Sequence, residues 1–182
     1  MARAKQAKSK GEGTPDAITL LKADHRQVED WFGQFEKARD AERKQTLATQ
    51  ICTALKVHTM IEEEIFYPAF LEATDEKDIH HEAEVEHDGA KKLIAEIEAS
   101  SPEDDYFDAK VSVLSEMIKH HVKEEEGPGG MFSKSRSSEM DLDMLGEQLA
   151  ARKAELESES DDMDEPPSGG RKGSQTERRQ HG

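Results

Sequence analysis

The sequence predicts an all-α protein: an antiparallel up-down-up-down four-helix bundle, a short fifth C-terminal helix, and disordered tails. Three observations carry this. Charged residues make up 36% and apolar residues 34% of the 182 positions, with Ala, Glu, Lys and Leu prominent and few β-branched or aromatic residues in alternation. Apolar residues recur at spacings of three and four over long stretches of similar length. Short polar segments rich in turn residues join those stretches, so neighbouring helices run antiparallel. No βαβ pattern, glycine-rich phosphate loop or nucleophile elbow is present.

Each element has a local reason. Residues 1–13 are Lys, Ala, Gly and Ser without periodicity and read as a disordered basic arm. "TPDA" opens the first helix, predicted over 15–38, with Thr14 as cap, Pro15 in the first turn and Asp16 at the positive end of the dipole. "RDAERK" turns into a second helix over 42–72, which Pro68 kinks or terminates. "ATDEKD" precedes a third helix over 76–99. "SSPEDD" starts the fourth, over 102–126, with Ser101 as cap, and "GPGG" ends it. After a short loop, "DLDMLGEQLAARKAEL" forms the fifth helix, over 141–157. The expected organisation is a bundle domain over 14–135, a C-terminal amphipathic helix within 136–157, and a disordered tail over 158–182, where apolar residues nearly vanish.

The net charge of −16 repels nucleic acid and anionic membrane surfaces, so neither is an expected partner. It suits a cation-binding protein. A single cysteine, Cys52, rules out a disulfide within the chain, fits a reducing compartment and reads as a packed thiol. The basic arm has no apolar segment of the kind a signal peptide needs, and no run reaches the length of a membrane span. The expected location is cytoplasmic.

The seams then turn polar. The first helix places Ile18, Leu21, His25, Val28, Phe32 and Phe35 on one stripe. The second places Ile51, Leu55, His58, Glu62, Ile65 and Ala69 there. The third has His80, Ala83, His87, Ala90, Ile94 and Ile97. The fourth has Phe107, Val111, Leu114, Ile118, His121 and Glu125. Metal-ligand residue types thus interrupt the apolar stripe on all four helices. A lone buried glutamate costs several kcal/mol or stays protonated. Two of them with several histidines make sense when a cation neutralises them. His58–Glu62 and His121–Glu125 are i, i+4 pairs, so each offers a nitrogen and an oxygen on one face. A carboxylate has two oxygens, so Glu62 and Glu125 could each bridge metals about 3.5–4 Å apart. At about 1.5 Å of rise per residue, Glu62 and His87 lie at similar heights on either side of their turn.

Neighbouring residues compete for these roles. "HHVKEEE" offers His120 with Glu124 or His121 with Glu125, and only the second pair is in phase with the seam. Glu63, Glu64 and Glu126 fall beside it and read as solvated acids or as carboxylates that orient a ligand imidazole. Trp31, Phe32, Phe66, Met117 and Ile118 read as core, or as the walls of a small apolar pocket. "HHEAEVEH" fails the HExxH zinc pattern because Val85 stands where a histidine is needed. Di-iron bundles of the ferritin type use Glu-x-x-His, whereas the order here is His-x-x-x-Glu, twice. The bland reading is a packed histidine on each helix and a metal-free acidic structural bundle.

"LLKADHRQVEDWF", "HTMIEEEIFYP", "EAEVEHDGAKKLI" and "HHVKEEEGPGGMF", in that order, resemble the hemerythrin-like proteins, or HHE cation-binding domain, of bacterial type. The resemblance covers residues 15 to about 135, and "LDMLGEQLAARKAEL" is similar to a helix that follows this domain in bacterial members. It implies a non-haem, carboxylate-bridged centre of two iron ions. Carried over position by position, the ligands are His25, His58, Glu62, His87, His121 and Glu125. The chain departs from the oxygen carriers of the family in two ways. Ala83 stands where they have a second histidine on the third helix. The acid on the fourth helix is Glu125, at i+4, where they have an aspartate at i+5. The site loses one nitrogen or recruits His80 or Glu84. The resemblance implies a protein that binds or senses O2, peroxide or another small diatomic ligand, or handles iron. A di-iron redox enzyme, peroxide-consuming or oxidase, is the competing class.

Overall fold

The computed structural model describes residues 13–164. The predicted basic arm before Gly13 and the tail beyond Asp164 lie outside the described residues. Helices α1 (Ala17–Lys37), α2 (Ala41–Ile61), α4 (Lys77–Glu98) and α5 (Phe107–Glu126) form the bundle. α1 packs on α2 and α5, and α4 packs on α5 and α2, which closes the ring. The second stretch continues past α2 through a wide turn over Glu62–Phe66 into α3 (Tyr67–Thr74). A short helix α6 (Met131–Ser137) and the last helix α7 (Leu142–Asp164) complete the described chain.

Local chemistry sets the ends, sometimes against expectation. The cap of α1 is Asp16, not Thr14: its carboxylate accepts from the Thr19 N–H at 2.9 Å. Asp40 caps α2 in the same way through the Arg43 N–H. α5 starts at Phe107 rather than 102, because Ser101–Tyr106 spend their backbone groups on successive turns, with Asp104 accepting from the Ser101 N–H. The segment read as a loop before the last helix contains α6. Gly129 takes φ 77°, and a side chain on Gly130 would sit 2.0 Å from the Glu124 carbonyl. Those glycines let the chain fold α6 tightly under the end of α5. α7 runs seven residues beyond its expected end at 157, since extending a helix already anchored by Leu145, Leu149 and Leu156 is cheap even through polar residues.

Pro68 neither ends nor visibly breaks the second stretch. It lies in the first turn of α3, where a missing N–H is tolerated. The turn before it is widened, with the Tyr67 N–H donating to the Glu62 carbonyl five residues back. The extra residue shifts the helical phase. Phe66, Tyr67 and Phe70 are buried instead of the expected Ile65 and Ala69.

The core falls into two apolar clusters. One holds Val28, Phe32, Leu55, Ala90, Leu114 and Ile118; the other holds Leu21, Ile61, Tyr67, Ala83, Met131 and Leu149. His25 lies between Leu21 and Val28 in sequence, His58 between Leu55 and Ile61, and His87 between Ala83 and Ala90, so a polar layer separates the clusters. Cys52 is packed in the first cluster, and burial pushes its thiol up to about 12.

Candidate metal centre

His25 from α1, His58 and Glu62 from the second stretch, His87 from α4, and His121 and Glu125 from α5 are all at most 5% exposed. The imidazoles form two pairs: His25 Nε2 is 3.0 Å from His58 Nε2, and His87 Nε2 is 3.2 Å from His121 Nε2. Glu62 reaches both pairs, with Oε1 3.3 Å from His58 Nε2 and Oε2 3.4 Å from His87 Nε2. Glu125 does the same from the other side, with Oε2 3.4 Å from His25 Nε2 and Oε1 3.6 Å from His121 Nε2.

These donors fit a metal. Glu62 Oε1 and Glu125 Oε2 are buried without a hydrogen-bond partner, a costly state that a cation relieves. Donor atoms of His25, His58 and Glu62 lie within 4.8 Å of one another, and so do those of Glu62, His87 and His121. Mixed imidazole and carboxylate donors suit zinc, manganese or iron. Burial pulls His58 down, but Glu62 and Asp24 outweigh it and push the imidazole up to about 10. His87 goes up to about 9 against the same burial, through Glu62 and Glu63. Burial raises Glu62, but His58 and His87 hold it well below the usual carboxylate range. Glu125 is pushed up to about 7, first by burial and then by the Glu62 charge. Burial and the charge on His58 push His25 down to about 4.

A ring of acids holds the outer nitrogens. Nδ1 of His25 meets Glu126 at 2.9 Å, that of His58 meets Asp24 at 3.4 Å, that of His87 meets Glu63 at 2.9 Å, and that of His121 meets Glu86 at 2.7 Å. This turns every Nε2 inward. The ring is woven between helices. Each acid is the sequence neighbour of one centre residue and serves the imidazole of another helix. Asp24 adjoins His25 and holds His58; Glu63 adjoins Glu62 and holds His87. Glu86 adjoins His87 and holds His121; Glu126 adjoins Glu125 and holds His25. Glu63 and Glu126 are therefore orienting acids, whereas Glu64 pairs with Arg152 on α7. Asp24 and Glu86 were not singled out in the sequence. Adjacency to a centre residue is the signal that would have found them.

Tyr67 is the other residue the sequence reading missed. Its hydroxyl lies 3.1 Å from His87 Nε2, 3.2 Å from Glu125 Oε1 and 3.5 Å from Glu62 Oε2. Only the wide turn brings it there, five residues after Glu62. The smallness of Ala83, one turn before His87, leaves that side of the cluster to the phenol. Burial and the nearby Glu62 and Glu125 charges keep the phenol well above its usual range. His80 and Glu84 do not join the cluster. His80 Nδ1 is 3.6 Å from Glu84 Oε2, Glu84 is 52% exposed, and the His80 ring packs edge-on against Tyr67.

Two spaces adjoin the histidines. A void of about 20 Å³ is walled by Val28, Leu55, Ile118 and Val122 together with the four imidazoles. A pocket of about 400 Å³ lies beside His121, with Glu82, Glu86 and Glu124 set among Ile79, Ala83, Pro128 and Met131, and with His121 and Glu125 at its buried end. Phe132 on α6 stacks on His25, with ring centroids 5.8 Å apart.

A helical bundle with clustered imidazoles and carboxylates in its core defines a metal-binding protein of hemerythrin type. The chain belongs to the hemerythrin HHE cation-binding domain family, whose profile matches residues 16–128. A solved hemerythrin HHE cation-binding domain-containing protein from Mycobacterium kansasii shares the fold, with a TM-score of 0.67 and 18% identity over 80% of this chain and 90% of that one. A protein of Nostoc named DNA nickase is 30% identical over 107 residues. The match takes in 59% of this chain and spans only 30% of the relative's length. No helix among the described residues is long and apolar enough to cross a membrane.

Proposed function

We propose that His25, His58, Glu62, His87, His121 and Glu125 hold two iron ions in a non-haem, carboxylate-bridged centre that binds or senses a small oxidant. The observation that carries this is the double reach of Glu62 and Glu125, each with one oxygen toward each imidazole pair. Two such carboxylates suit two cations better than one. Tyr67 would stand at the side where Ala83 supplies no nitrogen. When bound, iron supplies redox change and an open coordination position. The protein's own residues orient the imidazoles through the acid ring and keep bulk water out.

The void supports a ligand of very small size. A space needs roughly 10–15 Å³ to hold one water, and the cavity of about 20 Å³ has chiefly aliphatic walls apart from the imidazoles. O2, nitric oxide or peroxide is the right scale; an organic substrate is not. The DNA-directed name belongs to the Nostoc relative. The charge of −16 favours a chain without a nucleic-acid partner, and the single cysteine favours a reducing, cytoplasmic setting.

The test is iron content and the optical spectrum of the anaerobically reduced, then air-exposed, protein. A His58→Ala/Glu62→Ala double variant is the control. Two irons per chain and a spectrum that changes reversibly on exposure are expected, both lost in the variant. Multiple peroxide turnovers per iron would instead favour the redox-enzyme class. Protein that remains fully folded and takes up no iron under reconstitution would sink the di-iron reading.

A further inference from the structure

The four acids around the centre are not alike on their outer sides. Glu63 pairs with Lys91 at 2.6 Å, Glu126 with Lys22 and Arg26, and Asp24 with Lys153. Glu86 has no lysine or arginine partner among the described residues. Its Oε2 holds His121, and its Oε1 faces His120 Nε2 at 3.4 Å. His120 Nε2 also lies 3.1 Å from Glu124 Oε1. Glu86, His120 and Glu124 thus bring a nitrogen and two carboxylates to one spot, with donor atoms within 4.8 Å of one another. His120–Glu124 is the out-of-phase twin of His121–Glu125: the same His-x-x-x-Glu spacing, rotated to the surface.

This cluster stands at the pocket beside His121, whose wall is otherwise mostly apolar. Glu86 and Glu124 line it beside Glu82, with Lys123 as the opposing cation. At its inner end lie His121 and Glu125 of the buried layer, with Glu125 Oε2 turned to His25 Nε2 at 3.4 Å. A cation at the cluster would share Glu86 with His121, a residue of the buried layer.

We propose that Glu86, His120 and Glu124 form a second, exchangeable site for a divalent transition-metal cation, which stages metal for the buried centre through the Ala83-lined pocket. The proposal rests on the metal-centre reading above. The negative surface concentrates the cation, and His120 adds the nitrogen that distinguishes a transition metal from calcium or magnesium. Glu86 lines the same pocket as His121 and Glu125, so a cation released from the cluster lies on the side of the buried layer. His120 is 61% and Glu124 40% exposed, so changing them leaves the core intact.

The test uses the full chain, a His120→Ala/Glu124→Gln variant and the His58→Ala/Glu62→Ala variant. Anaerobic Fe(II) uptake is followed by stopped flow, final iron is counted, and weakly held Mn(II) is counted by electron paramagnetic resonance. The surface variant should reach the same final iron roughly tenfold more slowly and lose one exchangeable Mn(II), which the buried-layer variant retains. An unchanged uptake rate overturns the staging role, whatever the manganese count. An unchanged manganese count overturns the site. A buried-layer variant that loads iron like the natural chain overturns the di-iron reading instead, and the manganese count still judges the surface site.

Discussion

The small void and the large pocket touch the same centre and differ in almost every other respect. The void, of about 20 Å³, is walled by Val28, Leu55, Ile118, Val122 and imidazole rings deep in the bundle. The pocket, of about 400 Å³, reaches the surface between carboxylates. An apolar void attracts a small, weakly hydrated molecule and does little for an ion. The carboxylates at the pocket attract a hydrated cation, while Ile79, Ala83, Pro128 and Met131 make the rest of its lining apolar. The difference teaches that one buried layer can border two spaces of unlike size and charge, which is what lets the proposed ligand and cation routes be tested separately.

Substitutions can break or sharpen this contrast. Ile118→Phe should have the largest effect. The added ring atoms fill the void, at a cost of about 1–3 kcal/mol for overpacking. Iron content should stay unchanged while the spectral response to O2 or azide is lost; a full response would show that small ligands arrive elsewhere. Lys153→Ala should come next. It strips the cation from Asp24, a buried carboxylate that also holds His58, at about 1–3 kcal/mol. Urea unfolding of the metal-free protein measures this, and an unchanged midpoint would mean that α7 does not tether the void's side of the centre. Glu82→Gln should have the smallest effect. It removes one exposed charge from the pocket, so Fe(II) uptake should slow by a few-fold at most, against up to ~10³-fold available from focusing of charge. The ligand response should remain intact. A lost ligand response with normal uptake would reverse the roles assigned to the two spaces.

Much of the centre is legible in the chain because α1 and α5 are regular. Their seams keep one phase from Ile18 to Phe35 and from Phe107 to Glu125, and every predicted seam residue on them is buried. His25, His121 and Glu125 can be placed by counting. The second stretch defeats counting at Glu62, where the wide turn adds a residue to the helical period. Tyr67 therefore enters the core in place of Ala69 and Ile65, and no fixed period could find it. His80 shows the opposite failure. It is in phase, yet Tyr67 covers it from the cluster.

By itself, the sequence determined the four-helix architecture and the identity of the polar layer, because both follow from side-chain period and from the cost of burying unpaired carboxylates. It also determined that Cys52 packs in the core. Tertiary structure alone decided which acid holds which imidazole, since each acid serves a different helix from the centre residue beside it. It decided that α6 folds back to stack Phe132 on His25, and that the out-of-phase pair His120–Glu124 meets Glu86 at the surface. Those contacts depend on the rotation and height of one helix against another. Packing sets both, and no local spacing encodes them.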